Sequence, residues 1–354
     1  MVRWALVGAS DIAATRMIPA IRRHGDEILA VVSGDQSHGE RFAARHEIAR
    51  ATTDVGLVLA DQDIDAVYIS SRNHQHAQQA TAALAADKHV LLEKPLALSA
   101  HDVGGLLATA AAHAGVLAVN HHLPGAATHR RIRELIRAGA VGTPLAVSVC
   151  HAVMLPERLR GWRLGDVPGA GVALDITCHD ASVINAALGS PPRLAAAVGT
   201  AQGQWSTGAP DAVLASLLYG QVTVQTHDAF TVAHRPTRFD VFGTEGAILG
   251  TDVMTQDPVG EVVLRTGAGE RVVDVGERKD LYLTVLEGFR AAIAGDAEPT
   301  VDGYAGGNAF LVADAVQRAV TAEQTVFFDR WFTKPQEGRL QPSARSAPTG
   351  EFDA

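Results

Sequence analysis

Three residues in this chain have the types and settings needed to move a proton beside a polarised oxygen. Lys94 stands in Glu93-Lys94-Pro95, directly after the apolar run His89–Leu92. A lysine caught between a buried strand and a proline is poorly explained as a surface charge. Its ammonium can hydrogen-bond a substrate oxygen and stabilise charge developing there. Asp175 and His179, in "GVALDITCHD", are four residues apart in a segment that reads as a helix, so they share a face. Histidine titrates near neutrality and can give a proton to an alkoxide and take it back. Asp175 can orient that imidazole or accept from a substrate hydroxyl. Asp180 follows about 100° further round the helix and is the weaker candidate. Taken singly, each feature has a plain structural alternative, a strand-end lysine in water or a helical Asp/His pair with no chemistry.

Such groups need an edge to stand on. The first 120 residues alternate strand and helix: "RWALV", "EILAVVS", "DAVYIS" (65–70), "HVLLE" (89–93) and "VLAVN" (116–120) are separated by helical patterns at 12–24, 39–46, 76–88 and 99–114. Strands spaced by helices of this length predict right-handed βαβ crossovers and a doubly wound parallel sheet, an α/β domain over 1–121. Lys94 then lies at the carboxyl edge of that sheet, where ligands bind. A cis Lys94–Pro95 bond is admissible there. After a helix at 126–138, longer alternating strands separated by Gly and Pro turns predict an α+β second domain over 122–330, with a large, mostly antiparallel sheet. Its helices fall at 175–188, near 280–294 and at 303–322. Residues 331–354, rich in Pro, Ser, Gly and charge, read as a loose tail.

The turn after the first strand, "GASDIA" (8–13), has the strand–turn–helix setting of a dinucleotide site, with Ser10 in place of the second glycine. Gly8 supplies the tight turn and Ala13 is small enough for close helix–strand packing. The amides at the helix start suit a pyrophosphate, and the Ser10 hydroxyl can donate to it. Ser33 stands where an NAD site carries an acid for the ribose hydroxyls, so a 2′-phosphate is not repelled and NADP(H) is favoured. His38 and Arg41 are the nearest cationic candidates. Asp35 opposes a phosphate, which leaves NAD(H) possible.

Composition excludes several classes. Thirty basic against 39 acidic residues, a formal charge of −9, offer no broad basic surface for nucleic acid or an anionic membrane. No apolar run is long enough to span a bilayer. No secretory leader is seen, and two cysteines, Cys150 and Cys178, fit a reducing compartment, so a cytoplasmic location is expected. The tightest histidine pairs, His74 with His76 and His121 with His122, lack zinc-site spacing, and no metal is expected. Serine-hydrolase and Walker sequences are also missing.

At "GASDIA", "DIDAVYISSRNHQHAQQATAALAADKHVLLEKPLALS" and "GVALDITCHD" the chain resembles the Gfo/Idh/MocA oxidoreductases, over about residues 1–330. The resemblance implies an N-terminal Rossmann domain and a C-terminal α+β domain. Within the family, "NHHLPGAATHR", "GWRL", "HDAF", "FGTEG" and "DVMTQDPVG" look like the members that reduce a pyranos-2-ulose ketone with NADPH. It implies Lys94 and His179 as the catalytic pair with Asp175 beside them, His179 protonating the new alkoxide and Lys94 polarising the carbonyl. It further implies cofactor contacts from Gly8, Ala9, Ser10, Asp11, Ile12, Ala13, Ser33, His38, Ser70, Ser71, Asn73, His76, Glu93, Lys94 and Asn120, with Trp162 and Arg163 near the nicotinamide. Lys94, Arg163, Asp175 and His179 would surround a sugar or polyol substrate. His38 occupies the place of an expected arginine, and Arg72 and His74 make "SSRNHQH" more basic than in the reductases. An NAD(H)-linked dehydrogenase of a cyclic polyol or other sugar is the second reading, a silent nucleotide-binding protein the third. Either a monomer or a homo-oligomer is compatible with the chain.

Overall fold

The computed structural model describes residues 1–206 and 208–334. The N-terminal strands are β1 Arg3–Val7, β2 Glu27–Val32, β3 Arg50–Thr52, β4 Ala66–Ile69, β5 His89–Leu92 and β6 Leu117–Val119. They form one parallel sheet in the order β3-β2-β1-β4-β5-β6. The order reverses between β1 and β4, so the crevice of a dinucleotide fold opens there. The helices are α1 Ile18–Arg23, α2 Gln36–Arg45, α3 Val55–Leu59, α4 His76–Ala85 and α5 Ala100–Ala112. Strand interiors are apolar on both faces because helices cover both sides.

Local differences from the sequence reading have physical causes. α2 begins at Gln36 instead of Gly39, because Asp35 in an extended conformation caps it, accepting from the His38 amide. β3 and α3 have no counterpart in the sequence pattern: "RAT" has too few residues to show a period, and its pairing with β2 makes it a strand. The helix expected at 12–24 is wound as a π-helical turn over Ala13–Met17 before α1. The Lys94–Pro95 bond is cis, as the sequence allowed.

The second sheet has nine strands: β7 Pro144–Ala152, β8 Leu194–Thr200, β9 Ala212–Tyr219, β10 Val222–Ala229, β11 Arg238–Gly243, β12 Gly246–Thr251, β13 Glu261–Thr266, β14 Gly269–Val272 and β15 Val326–Phe327. Its order is β14-β13-β12-β11-β7-β10-β9-β8-β15. It is antiparallel except that β7 and β10 run parallel. α6 Ala127–Arg137, α7 Glu157–Arg160, α8 Cys178–Leu188, α9 Leu281–Ala294 and α10 Gly303–Ala322 complete the described chain. A second π-helical turn, Ala173–Thr177, leads into α8, which together with α10 lies between the two sheets.

Chain order and layer membership part company at α9. Its Tyr282, Val285, Leu286 and Phe289 join Trp4, Ile18 and Ile21 in one buried cluster under the first sheet. Trp4 and Phe289 rings lie 5.4 Å apart, and the Trp4 indole donates to buried Asp26, which also accepts from Arg290. Emptying such a site, Trp4→Ala, costs about 3–5 kcal/mol. The first residues of the expected tail are packed: Phe332 exchanges two hydrogen bonds with Asn308, and Lys334 pairs with Glu298 and Asp302. The rest of that tail, 335–354, lies outside the described residues.

Candidate active site

The cofactor turn is built on a contact only glycine permits. Gly8 has φ +121°, and a Cβ there would stand 2.7 Å from the Ser70 carbonyl carbon and the Ser71 nitrogen. The Ser10 hydroxyl is held on both sides, donating to Ser70 Oγ at 2.8 Å and accepting from the Ala13 amide at 3.2 Å. Ser10 therefore acts as a helix cap instead of offering its proton outward. Capping occupies the Ala13 amide, while the amides of Asp11 and Ile12, at the helix start, keep no intrahelical acceptor. They and the positive helix end fit a pyrophosphate. Asp11 itself faces away, in a 2.8 Å ion pair with Arg158 of α7.

Farther along the sheet edge, Ser33 is buried and presents no carboxylate. His38 reaches back so that its Nε2 lies 3.0 Å from the Ala9 carbonyl oxygen, which puts its ring on the rim of the turn. Asp35, the residue expected to oppose a 2′-phosphate, is occupied with capping α2. Two expected cofactor contacts turn inward. His76 is fully buried, with Nδ1 2.8 Å from Pro95 O and Nε2 3.2 Å from Ser71 O, so it fastens the loop to the Lys94–Pro95 turn. Burial depresses its pKa, and the neutral ring holds one N–H for two carbonyls. Asn73 donates to Gly169 O and ties the same loop to the second-sheet side. Ser71 bonds Gln79.

Beneath the edge, Glu93 is buried and accepts from Tyr68 Oη and Asn120 Nδ2, both at 2.5 Å. Burial raises its pKa against those two donors. Asn120 leaves its Oδ1 buried without a partner among the described residues, an acceptor that a ligand amide would satisfy.

Lys94 and Asp175, which the resemblance places in one site, meet in a direct ion pair. Lys94 Nζ donates to Asp175 Oδ1 at 2.6 Å and to its backbone oxygen at 2.7 Å. Arg163 Nε takes the other carboxylate oxygen at 3.1 Å, and its guanidinium lies 4.8 Å from the Trp162 ring. Burial pushes the Asp175 pKa up, but Lys94 and Arg163 overcome it and hold the carboxyl far below its usual range. Burial likewise pulls Lys94 down, and Asp175 more than reverses it, so the ammonium persists above its ordinary value. Asp175 thus serves the lysine and the arginine; the expected alignment with His179 assumes an α-helical repeat across residues that form the π turn.

His179 is walled by imidazoles. His122 meets it edge-on at 4.9 Å, His121 at 5.6 Å, and His151 of β7 lies 6.4 Å away. Burial and the Lys94 charge hold His179 well below ordinary histidine, hence neutral, and its Nδ1 has no partner among the described residues. His121 is pushed down to about 3 by burial, again with a bare Nδ1. From sequence, His121 and His122 stand out only as a metal pair; among the described residues no group of His, Cys, Asp and Glu could hold a metal ion. His151 carries no local sequence signal, and Asp228 beside it on β10 stands out only within the stretch "HDAF". Their facing register is the signal, and it depends on the parallel β7–β10 pairing.

A nucleotide-type turn and an ammonium–carboxylate–guanidinium cluster on one sheet edge are the setting in which the comparisons fit. Residues 2–121 match the "Oxidoreductase family, NAD-binding Rossmann fold" (GFO_IDH_MocA), and residues 129–249 the GFO/IDH/MocA C-terminal domain. The chain belongs to the Gfo/Idh/MocA family. It is 40% identical over 326 residues to 1,5-anhydro-D-fructose reductase of Ensifer adhaerens, covering 92% of this chain and 98% of that one. It is 25% identical to D-xylose 1-dehydrogenase (NADP(+)) 2 of Haloferax volcanii, over 92% of this chain and 99% of the relative. Aldose-aldose oxidoreductase of Caulobacter crescentus, solved with glycerol, superposes with TM-score 0.83 at 21% identity, covering 92% and 99% of the two chains. This member is a sugar oxidoreductase with an NAD(P)-binding Rossmann fold and a small-molecule substrate. No helix among the described residues is long and apolar enough to cross a membrane.

Proposed function

We propose that the chain reduces 1,5-anhydro-D-fructose, or a close pyranos-2-ulose, to the corresponding 1,5-anhydro-D-mannitol-type alcohol with NADPH. The observation that carries this reading is the 2.6 Å Lys94–Asp175 pair closed by Arg163 at the carboxyl edge of the sheet. NADPH, when bound, supplies the hydride. Gly8, Ala9, Ser10, Asp11, Ile12 and Ala13 form its pyrophosphate turn. Ser33 and His38 border the 2′-phosphate, with Ser70, Ser71 and Asn120 along the crevice and Trp162 and Arg163 toward the nicotinamide.

Lys94 lends its ammonium to the ketone oxygen and stabilises the charge that grows there. Asp175 keeps that ammonium protonated and, with Arg163, orients the neighbouring sugar hydroxyls. His179 gives a proton to the new alkoxide. Being neutral at rest, it must gain a proton at its second nitrogen as it loses one from the first, or else leave an imidazolate. The same groups run in reverse would oxidise a cyclic polyol or sugar, and the relationship to a D-xylose dehydrogenase supports keeping that direction as the second reading.

Fluorescence titration of NADPH and NADH, followed by addition of 1,5-anhydro-D-fructose, tests the reading. NADPH binding followed by loss of nicotinamide absorbance is expected. Tight NADH binding with no consumption of that ketone would replace it with the polyol dehydrogenase.

A further inference from the structure

Behind His179 lies a cluster that the proposed chemistry leaves unused. Asp180 and Asp228 are completely buried, and each raises the local demand for a proton because no cation among the described residues pairs with either carboxyl. Asp228 Oδ2 accepts from Thr177 Oγ1, and Asp180 Oδ1 lies 2.7 Å from His151 Nδ1. The remaining oxygens, Asp180 Oδ2 and Asp228 Oδ1, have no other partner among the described residues. Two unpartnered carboxyl oxygens in one dry cluster around His151 call for a proton, because neither carboxylate can donate. Three elements bring the groups together: α8 contributes Asp180, β10 Asp228, and β7 His151, whose register position is opposite Asp228. His151 is the member with some exposure, 10% of its side chain, and its ring lies 6.4 Å from that of His179. That 6.4 Å separates the ring centroids, and with a nitrogen of each ring turned toward the other a single oxygen, of water or of a sugar hydroxyl, can bridge them.

We propose that His151 and Asp180 are positioning residues that keep His179 supplied with a proton, with Asp228 as the permanently protonated partner that lets Asp180 gain and lose one. The inference rests on the reductase reading for its direction. As His179 gives its proton to the alkoxide, His151 passes one toward His179 through the bridging oxygen and takes one from Asp180. Asp180 is left as a carboxylate accepting from Asp228 and His151, and solvent protons restore it between turnovers. No redox partner is needed, and the proton count closes. The titratable groups facing the cluster are Lys94, Asp175, Cys178, His122, His129 and His179. Burial raises Asp180 to about 7, in the range where such an exchange runs at neutral pH. Asp228 is raised well above a usual carboxyl by burial and by Asp180.

The test compares wild type with Asp180→Asn and His151→Gln, two independent ways of breaking the same link. In wild type, kcat for reduction falls as pH rises through neutrality, since reduction needs Asp180 protonated. Each variant is expected to lose that break and about tenfold in kcat, with NADPH affinity unchanged. A pH profile that overlays wild type in either folded variant, whatever happens to melting temperature, would overturn the proposal. Infrared difference spectra of substrate-free protein provide a readout independent of the sugar. A protonated-carboxyl band that titrates near neutral pH and disappears in Asp180→Asn supports the proton store; no such band in wild type overturns it. Failure of wild type to consume 1,5-anhydro-D-fructose would fall on the functional reading, while the band still decides the store.

Discussion

Two carboxyl sites five residues apart in the chain meet opposite fates. Asp175, on the π turn, has an ammonium at 2.6 Å and a guanidinium at 3.1 Å, and stays ionised. Asp180, on α8, has no cation among its partners, only His151 and another acid, and is driven toward the protonated form. Asp180 is fully buried and Asp175 keeps 13% of its side chain exposed, a small difference beside the contrast in neighbouring charge. The neighbouring charges separate the two and divide the work: Asp175 keeps Lys94 charged for the substrate oxygen, while Asp180 can exchange a proton.

Removing the charged side of the contrast has the largest effect. Lys94→Met is expected to lower kcat by about a hundredfold to a thousandfold with NADPH binding largely kept, as measured by turnover beside a fluorescence titration. His179→Asn should lose a comparable amount, about a hundredfold or more, through proton transfer.

Asp175→Asn sharpens the contrast in stability. It strands Lys94 and Arg163 without their counter-charge and is expected to cost about 3–5 kcal/mol in denaturant unfolding at neutral pH. Asp228→Asn keeps the shape and a hydrogen-bonding amide, and should cost less than about 1 kcal/mol. The pH dependences have opposite signs. Asp175, with a depressed folded pKa, stabilises the protein above the unfolded carboxyl value and loses that contribution as pH falls through the folded one. Asp180, with a raised folded pKa, contributes fully below the unfolded value and loses its contribution as pH climbs toward about 7. Unfolding free energy of Asp175→Asn, followed from pH 7 downward, should therefore approach wild type in acid. A constant gap would contradict the ion-pair account.

The smallest effect is on cofactor choice. Ser33→Asp places a carboxylate at the end of β2 and should shift preference from NADPH toward NADH by about tenfold or more in kcat/KM, with little change in melting temperature.

How much of this the sequence discloses follows the range of the interactions. Strands of the first sheet are legible because each is a local apolar run bounded by turns, and Lys94 because its strand and proline flank it. The Asp175–Lys94 contact spans 81 residues, yet both ends are recognisable from their own local settings. β3 is too short to show a period, and the π turns leave no trace in a pattern read at α-helical spacing. His151 looks like an ordinary polar interruption of its strand, and "HDAF" gives Asp228 no role by itself; the parallel β7–β10 register brings the two together beside Asp180. The Ser10 hydroxyl, expected from sequence to donate to the pyrophosphate, instead gives its proton to Ser70 Oγ and accepts from the Ala13 amide.

Deuterium transfer tests the central claim most directly. Wild-type protein would be incubated with 1,5-anhydro-D-fructose and NADPH carrying deuterium at nicotinamide C4, on the face donated, and the sugar product examined by mass and NMR. The account predicts a 1,5-anhydrohexitol with one deuterium on the carbon that was the ketone, formed by wild type and nearly lost in Lys94→Met and His179→Asn. Deuterium elsewhere, or no labelled alcohol while NADPH remains bound, would contradict it.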